Sequence, residues 1–392
     1  MTPAMPPAMS SAHPATFSLL TPTEIVFGRG HVAQLNERAA TLGTRALVVH
    51  GSNPDRLAGV FESLESVEIV QTLSVTKEPE LSALLAAIEQ GKSLGVDLVI
   101  GIGGGSVMDS AKVLASMLNS DTELMSHLEV VGDGLPLSAP RLPLILVPTT
   151  SGTGAEVTRN AVIDIPDAQR KVSLRDKQLL PDLALIDPAL TDHCPRSVSL
   201  HSGLDAVTQV IEPYLSSRAN LFTDLLCREA IPKGLRALKQ LMQEESEDAR
   251  DALAQVSLFG GLALANSGLG VVHGIAGPLG GLCGAPHGAI CGALLPAGLA
   301  ANRDAVQSPE QKARIDQVIG WIAEVFDTSR SDALPRFRDW IVESGLQGLA
   351  SIGATEEHIL AATQAAASSS SMKANPVVLP SETIERIMRE SF

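Results

Sequence analysis

Aromatic side chains are nearly missing from this chain, making up 3% of its 392 residues. Its core must then be assembled mainly from Leu, Val, Ile and Ala. Positive charge is also in deficit, with a formal net charge of −15. That argues against nucleic acid and anionic membranes, which select basic surfaces, while leaving room for a local phosphate pocket. Cysteine is limited to Cys194, Cys227, Cys283 and Cys291. In a chain this long, so few suggest reduced thiols in a cytoplasmic protein. From Ala252 to Asn302 there is no Asp, Glu, Lys or Arg at all. Gly and Pro recur every few positions there, so no unbroken apolar run is long enough to span a membrane. The first basic residue other than histidine is Arg29, so the opening MTPAMPPAMSSAHPA lacks the basic start and apolar run of a secretory signal. Residues 1–16 are expected to form a disordered extension.

What is present describes a globular chain, 45% hydrophobic and 19% charged, long enough for two domains. Across 17–195, β-branched runs at 46–51, 67–73, 97–106, 142–150 and 183–188 alternate with helical stretches at 82–95 and 106–118. Several runs are apolar at consecutive positions, as strands covered on both faces are. This predicts a βαβ domain with a mainly parallel sheet. Across 196–392 only helical periodicity recurs, which predicts an all-α second domain.

Two stretches carry chemistry. DLVIGIGGGSVMDSAK reads as strand, glycine turn and helix. Gly103, Gly104 and Gly105 allow close backbone approach, and Ser106 caps a helix whose N-terminus favours an anion such as pyrophosphate. A tight turn with no ligand is the alternative. Downstream, Thr149, Thr150, Ser151 and Thr153 offer hydroxyls suited to ribose or phosphate. The uncharged stretch supplies the second centre through His273 and His287, since neutral imidazole in dry surroundings is a good divalent-metal ligand. Asp205 and Gln209, four residues apart, share one helix face and complete a four-residue metal set. Glu212 and Asp224 read as helix-surface charge. Cys283 and Cys291 flank His287 at four residues on each side, a spacing unlike the short pairs of zinc sites, and read as packing thiols.

The ordered motifs GGGSVMDSAK, PTTSGTGAEVTRNAVI, LIDPALT, GLDAVTQVIEP, GLGVVHGIAGPLGG and APHGAICGALLP resemble the iron-containing (group III) alcohol dehydrogenase family from Phe17 to the end. The resemblance implies a dinucleotide-binding, Rossmann-like α/β domain over 17–195 and a helical metal-binding domain over 196–392, the dehydroquinate synthase-like architecture. It implies NAD or NADP and a divalent metal, Fe2+ or Zn2+, that polarises the substrate oxygen. Gly104, Gly105, Ser106 and Asp109 match the pyrophosphate-binding turn and the helix behind it. Thr149, Thr150 and Thr153 match a second cofactor loop, and Lys171 a cofactor-side lysine. Asp205, His273 and His287 match metal ligands and carry the catalysis.

Three positions depart from that pattern. Gln209 stands where many members have a fourth, histidine, ligand. Gly277 replaces a histidine thought to bind substrate or pass protons, leaving His201, water or cofactor ribose for that task and opening space for a larger substrate. Asn160 is assigned to the pocket wall. Gly51 replaces the Asp that NAD-preferring relatives often carry. The expected activity is interconversion of an alcohol with an aldehyde or ketone by a homo-oligomer, a dimer. The alternatives are a maleylacetate reductase-like reductase, a dehydroquinate synthase-like lyase, and a cofactor-binding protein without turnover.

Overall fold

The computed structural model describes residues 17–168 and 170–392, so the expected extension at 1–16 lies outside the described residues. Its strands are β1 (Glu24–Phe27), β2 (Arg45–Gly51), β3 (Glu68–Val75), β4 (Leu98–Gly103), β5 (Leu144–Pro148), β6 (Asn160–Ile165), β7 (Arg170–Arg175) and β8 (Leu183–Ile186). Interleaved with them are α1 (Leu35–Leu42), α2 (Ala58–Glu62), α3 (Leu81–Leu94), α4 (Gly105–Met117) and α5 (Leu124–His127). Six strands form one parallel sheet in the order β1-β8-β5-β4-β2-β3. Successive strand residues feed opposite cores: Leu47 and Val49 pack with α3 and α4, whereas Ala46 and Val48 pack with Leu35 and Ala39 of α1. Both faces are covered, which is why these strands read as continuous apolar runs.

The chain leaves β2 toward β3 on one side and β4 toward β5 on the other. Their C-terminal ends therefore flank the crevice where open α/β sheets bind ligands. His50 of β2 lies in register with Ile102 of β4, so the glycine turn at 103–105 and Gly51 stand side by side at that crevice.

Two features were not anticipated. β1 is a four-residue edge strand, and β6 and β7 form an antiparallel hairpin outside the sheet. The hairpin is pinned to α4 by buried polar contacts. Asp109 Oδ2 accepts from the Val162 amide at 2.9 Å. The Lys112 ammonium, fully buried, donates to Thr158 Oγ1 and to the Asn160 carbonyl, both at 2.9 Å.

After β8 come α6 (Arg196–Leu215), α7 (Leu221–Leu241), α8 (Glu247–Ser267), α9 (Val271–Cys283), α10 (His287–Ala305), α11 (Pro309–Val325), α12 (Ala333–Glu343), α13 (Glu356–Ala366) and α14 (Ser381–Glu390). They share one large apolar core, and no strand interrupts them among the described residues. The uncharged stretch forms most of α8, then α9 and α10. No single helix among the described residues is long and apolar enough to cross a membrane, and α8 and α9 are bent by 99° at their junction. Glycines let α10 lie directly on α6. A Cβ at Gly288 would collide with the His201 carbonyl oxygen and sit 3.0 Å from Asp205 Cβ, and one at Gly292 would collide with Leu204.

That contact predicts that Gly288→Ala forces α10 off α6 and lowers stability by about 1–3 kcal/mol. Thermal denaturation checks it, and an unchanged midpoint would show the contact to be soft. A second expectation concerns Glu156, buried near Lys112. Burial pushes its carboxyl up to about 7, against the pull of its own backbone N–H and of Lys112. The folded chain then holds a proton that the unfolded chain has lost, so this group costs stability as pH rises from 4.5 toward 7. Glu156→Gln removes that cost. In urea denaturation its stability relative to wild type should grow by roughly 2–3 kcal/mol between about pH 5 and 8.

Candidate functional site

Helix α6 carries two carboxylates and an amide into the interior at spacings of four and three residues: Asp205, Gln209 and Glu212, each at most 5% exposed. Each meets a different partner. Asp205 Oδ1 lies 3.4 Å from His273 Nε2 and 3.8 Å from His287 Nε2, and the two imidazole centroids are 5.3 Å apart. His273 is in the first turn of α9 and His287 opens α10, so the crossing of two helices over α6 produces the cluster.

Glu212 corrects its reading as surface charge. Its carboxylate accepts from the backbone amides of Val272 and His273, at 2.6 and 3.3 Å, and so caps α9 from another helix. It also accepts from His273 Nδ1 at 2.7 Å. With the ring proton on Nδ1, Nε2 keeps its lone pair and faces Asp205. Asp224 is likewise buried, paired with Arg314 at 2.5 Å. Both carboxylates have partners far away in sequence, which helix spacing cannot reveal.

Among the described residues, Asp205, His273, His287 and Cys291 bring four metal-ligating atoms within 4.8 Å of one another. Asp205 Oδ1 and His273 Nε2 are buried without any hydrogen-bond partner. Burial disfavours charge on both imidazoles, but the facing Cys291 sulfur and Asp205 carboxylate outweigh it. His287 is raised to about 9 and His273 well above the ordinary histidine value. Asp205 is buried, yet the same histidines hold it below the usual carboxylate range. Donors converging on one point and drawing positive charge fit a divalent cation.

Gln209 sits apart from the expected ligand role in one respect: its amide nitrogen donates to the Thr153 carbonyl at 2.6 Å. That bond ties α6 to the loop at 149–154, expected from the sequence to contact the cofactor. Thr153 in turn packs on the glycine turn, because a Cβ at Gly105 would stand 2.8 Å from Thr153 Cγ2. Thr150 lies against Gly104 in the same way, with Oγ1 at 3.4 Å from such an atom, and the Thr149 amide donates to the Gly103 carbonyl at 2.9 Å. Gly104, not Ser106 as expected, is the N-cap of α4, and Ser106 lies inside the first turn with no side-chain cap bond, because the helix already starts at Gly105.

The other expected cofactor residues have partners of their own. Asp109 serves the β6 backbone and stands 3.6 Å from Lys112. Lys171, on β7, pairs with Glu78 and lies close to Gly280 and Gly281 of α9. The backbone carbonyl of Asn160 receives Lys112. On the other side of the cluster the surroundings are open. His287 is 38% exposed, and a Cβ at Gly277, one turn beyond His273, would meet nothing within 4 Å. His201, half-buried one turn before Asp205, is lowered by desolvation and so stays neutral at pH 7.

Residues 22–188 match the iron-containing alcohol dehydrogenase family, and residues 199–392 match the C-terminal part of the Fe-containing alcohol dehydrogenase family. The chain is 33% identical over 372 residues to a probable alcohol dehydrogenase, EutG, of Escherichia coli strain K12, covering 92% of this chain and 90% of that one. Among solved structures it is similar to the alcohol dehydrogenase of Oenococcus oeni, with 27% identity, TM-score 0.85, and coverage of 96% and 100%. It shares its fold with the sulfoacetaldehyde reductase of Bifidobacterium kashiwanohense, solved with NAD+, at 23% identity, TM-score 0.82, and coverage of 96% and 99%. These relatives do not favour the lyase or maleylacetate reductase alternatives. The chain belongs to the iron-containing alcohol dehydrogenase family.

Proposed function

We propose that this chain is an NAD(P)-linked alcohol dehydrogenase whose divalent cation, iron or zinc, is held by Asp205, His273 and His287. The observation that carries this reading is the pair of buried, unpartnered atoms, Asp205 Oδ1 and His273 Nε2, aimed into one space beside His287. When bound, the cation supplies Lewis-acid polarisation of a substrate oxygen, and the nicotinamide accepts or supplies hydride. The chain's own residues prepare that chemistry. Glu212 fixes the His273 tautomer. The amides at the start of α4 offer an anion site, and Gly104 and Gly105 let a pyrophosphate approach the backbone. Ser106, Thr149, Thr150 and Thr153 supply hydroxyls around it, with Asp109 and Lys171 holding the helix and hairpin on either side. His201, neutral and one turn before Asp205 on α6, is the residue assigned to proton relay.

Gly277 leaves the substrate side open, which suits an alcohol or aldehyde bulkier than a two-carbon one. Four free thiols suit a reducing cytoplasm. Among the described residues the backbone of edge strand β1 pairs on one side only, with β8, which suits a homodimer.

Purified chain supplied with Fe2+ or Zn2+ should oxidise NADH or NADPH with a panel of aldehydes, and lose that activity on chelation. His273→Ala should lower kcat by at least about a hundredfold, since polarisation by a metal is worth several kcal/mol. Absence of turnover with either nucleotide under every metal would sink the dehydrogenase reading. Cofactor choice is tested at Gly51. Nothing lies within 4 Å of a Cβ placed there, so a 2′-phosphate has room and meets no carboxylate. Gly51→Asp should lower kcat/KM for NADPH relative to NADH by at least about tenfold, a like-charge cost near 1.4 kcal/mol. An unchanged ratio would place the ribose elsewhere.

A further inference from the structure

We propose that Cys291 is the fourth protein ligand of the cation, in the place that Gln209 would be expected to fill. The proposal rests on the metal-dependent reading above but adds a donor of a different kind. Cys291 lies one turn after His287 on α10, on the same helix face, and is fully buried. Its sulfur is 3.6 Å from His287 Nε2 and within 4.8 Å of the ligating atoms of Asp205 and His273.

The spacings suit a common centre. Bond lengths of about 2.0–2.2 Å to nitrogen and oxygen and about 2.3 Å to sulfur give tetrahedral edges of roughly 3.3–3.6 Å. The His273–Asp205 and His287–Cys291 separations, 3.4 and 3.6 Å, fall in that range, His287–Asp205 at 3.8 Å lies just beyond it, and all four atoms lie within 4.8 Å of one another. The second observation is independent of the cysteine. Asp205 Oδ1 and His273 Nε2 are buried with no hydrogen-bond partner, so a group that satisfies both belongs between them and the sulfur.

Gln209 is tied by its nitrogen to the loop, which leaves only its neutral amide oxygen to offer a cation. Its amide nitrogen is held by the Thr153 carbonyl at 2.6 Å, and its side chain packs on the bare Cα of Gly260. An amide is also the weaker donor for a borderline-soft ion, whereas thiolate is a strong one. As the sulfur–metal bond forms, the thiol proton leaves to solvent, so Asp205 and Cys291 together contribute two negative charges. Such a set favours Zn2+ and Co2+ over harder ions. A substrate oxygen then approaches from the open side, past His287 and Gly277.

The test uses the full chain, freed of metal by chelation under reducing conditions and titrated with Co2+. A near-ultraviolet sulfur-to-cobalt charge-transfer band is expected at one Co2+ per chain. Cys291→Ser should abolish the band and weaken Zn2+ binding by at least about tenfold, while Cys283→Ser and Gln209→Ala keep the band. Circular dichroism establishes that each variant is folded. Should Cys291→Ser fail to fold, Zn2+ must instead slow alkylation of Cys291 in the wild-type chain, read by peptide mass mapping. Stoichiometric Co2+ binding without the band, or a band that survives Cys291→Ser, overturns the thiolate ligand and leaves the metal-dependent reading standing. Failure of the wild-type chain to bind any divalent ion overturns both.

Discussion

A helix that is buried nearly all round has to dispose of two carboxylates and an amide. That is the constraint on α6, and the rest of the centre follows from it. Buried polar groups without partners cost several kcal/mol each, so Asp205, Gln209 and Glu212 must each find a complement in dry surroundings. Glu212 finds the exposed amides at the start of α9 and the His273 ring. Gln209 finds the backbone carbonyl of Thr153. Asp205 Oδ1 alone has no hydrogen-bond partner, and it faces two imidazole nitrogens and a sulfur. The first two arrangements hold α9 and the loop in place, and the third defines where positive charge belongs.

The lack of charge from Ala252 to Asn302 acquires a reason in this setting. A lysine or arginine on α9 or α10 would supply the positive charge that Asp205 attracts and would occupy the space a cation needs. A further carboxylate would add to the burial cost. Glycine serves the same end by geometry. Gly288 and Gly292 bring the backbone of α10 against α6, so that His287 and Cys291 reach Asp205. Low charge and small side chains are therefore two aspects of one packing solution, in which donors are brought close and kept dry.

The parallel sheet was legible because both its faces are covered, leaving apolar runs at successive positions in β2, β4 and β5. The glycine turn and the trio of Asp205, His273 and His287 were legible because their residue types are costly anywhere else. What escaped is equally physical. Hairpin β6–β7 alternates buried and more exposed residues over six positions in β6 and five in β7, a short signal inside a segment that otherwise reads as a polar loop. Glu212 read as surface charge because its partners lie about sixty residues away on another helix. Cys291 looked like packing because its spacing resembles no paired-cysteine motif, and only the crossing of α6, α9 and α10 shows what its sulfur faces. Tertiary contacts over long sequence distances are what local pattern omits.

The change at position 209 carries a consequence beyond the loss of one imidazole. An imidazole there would offer a single lone pair on one nitrogen and a single proton on the other. The Gln209 amide nitrogen is a donor only. Given to the Thr153 carbonyl, it joins the metal-bearing helix to the loop that packs on the glycine turn, through Gly105 and Thr153. With its nitrogen committed to backbone, Gln209 retains only an amide oxygen to offer a cation, and the helix and the loop are linked by a direct hydrogen bond. The sulfur proposed above as a ligand stands one turn from His287, on the same side of the cluster. On that proposal, the coupling of helix to loop and the recruitment of a sulfur donor both follow from the residue at position 209.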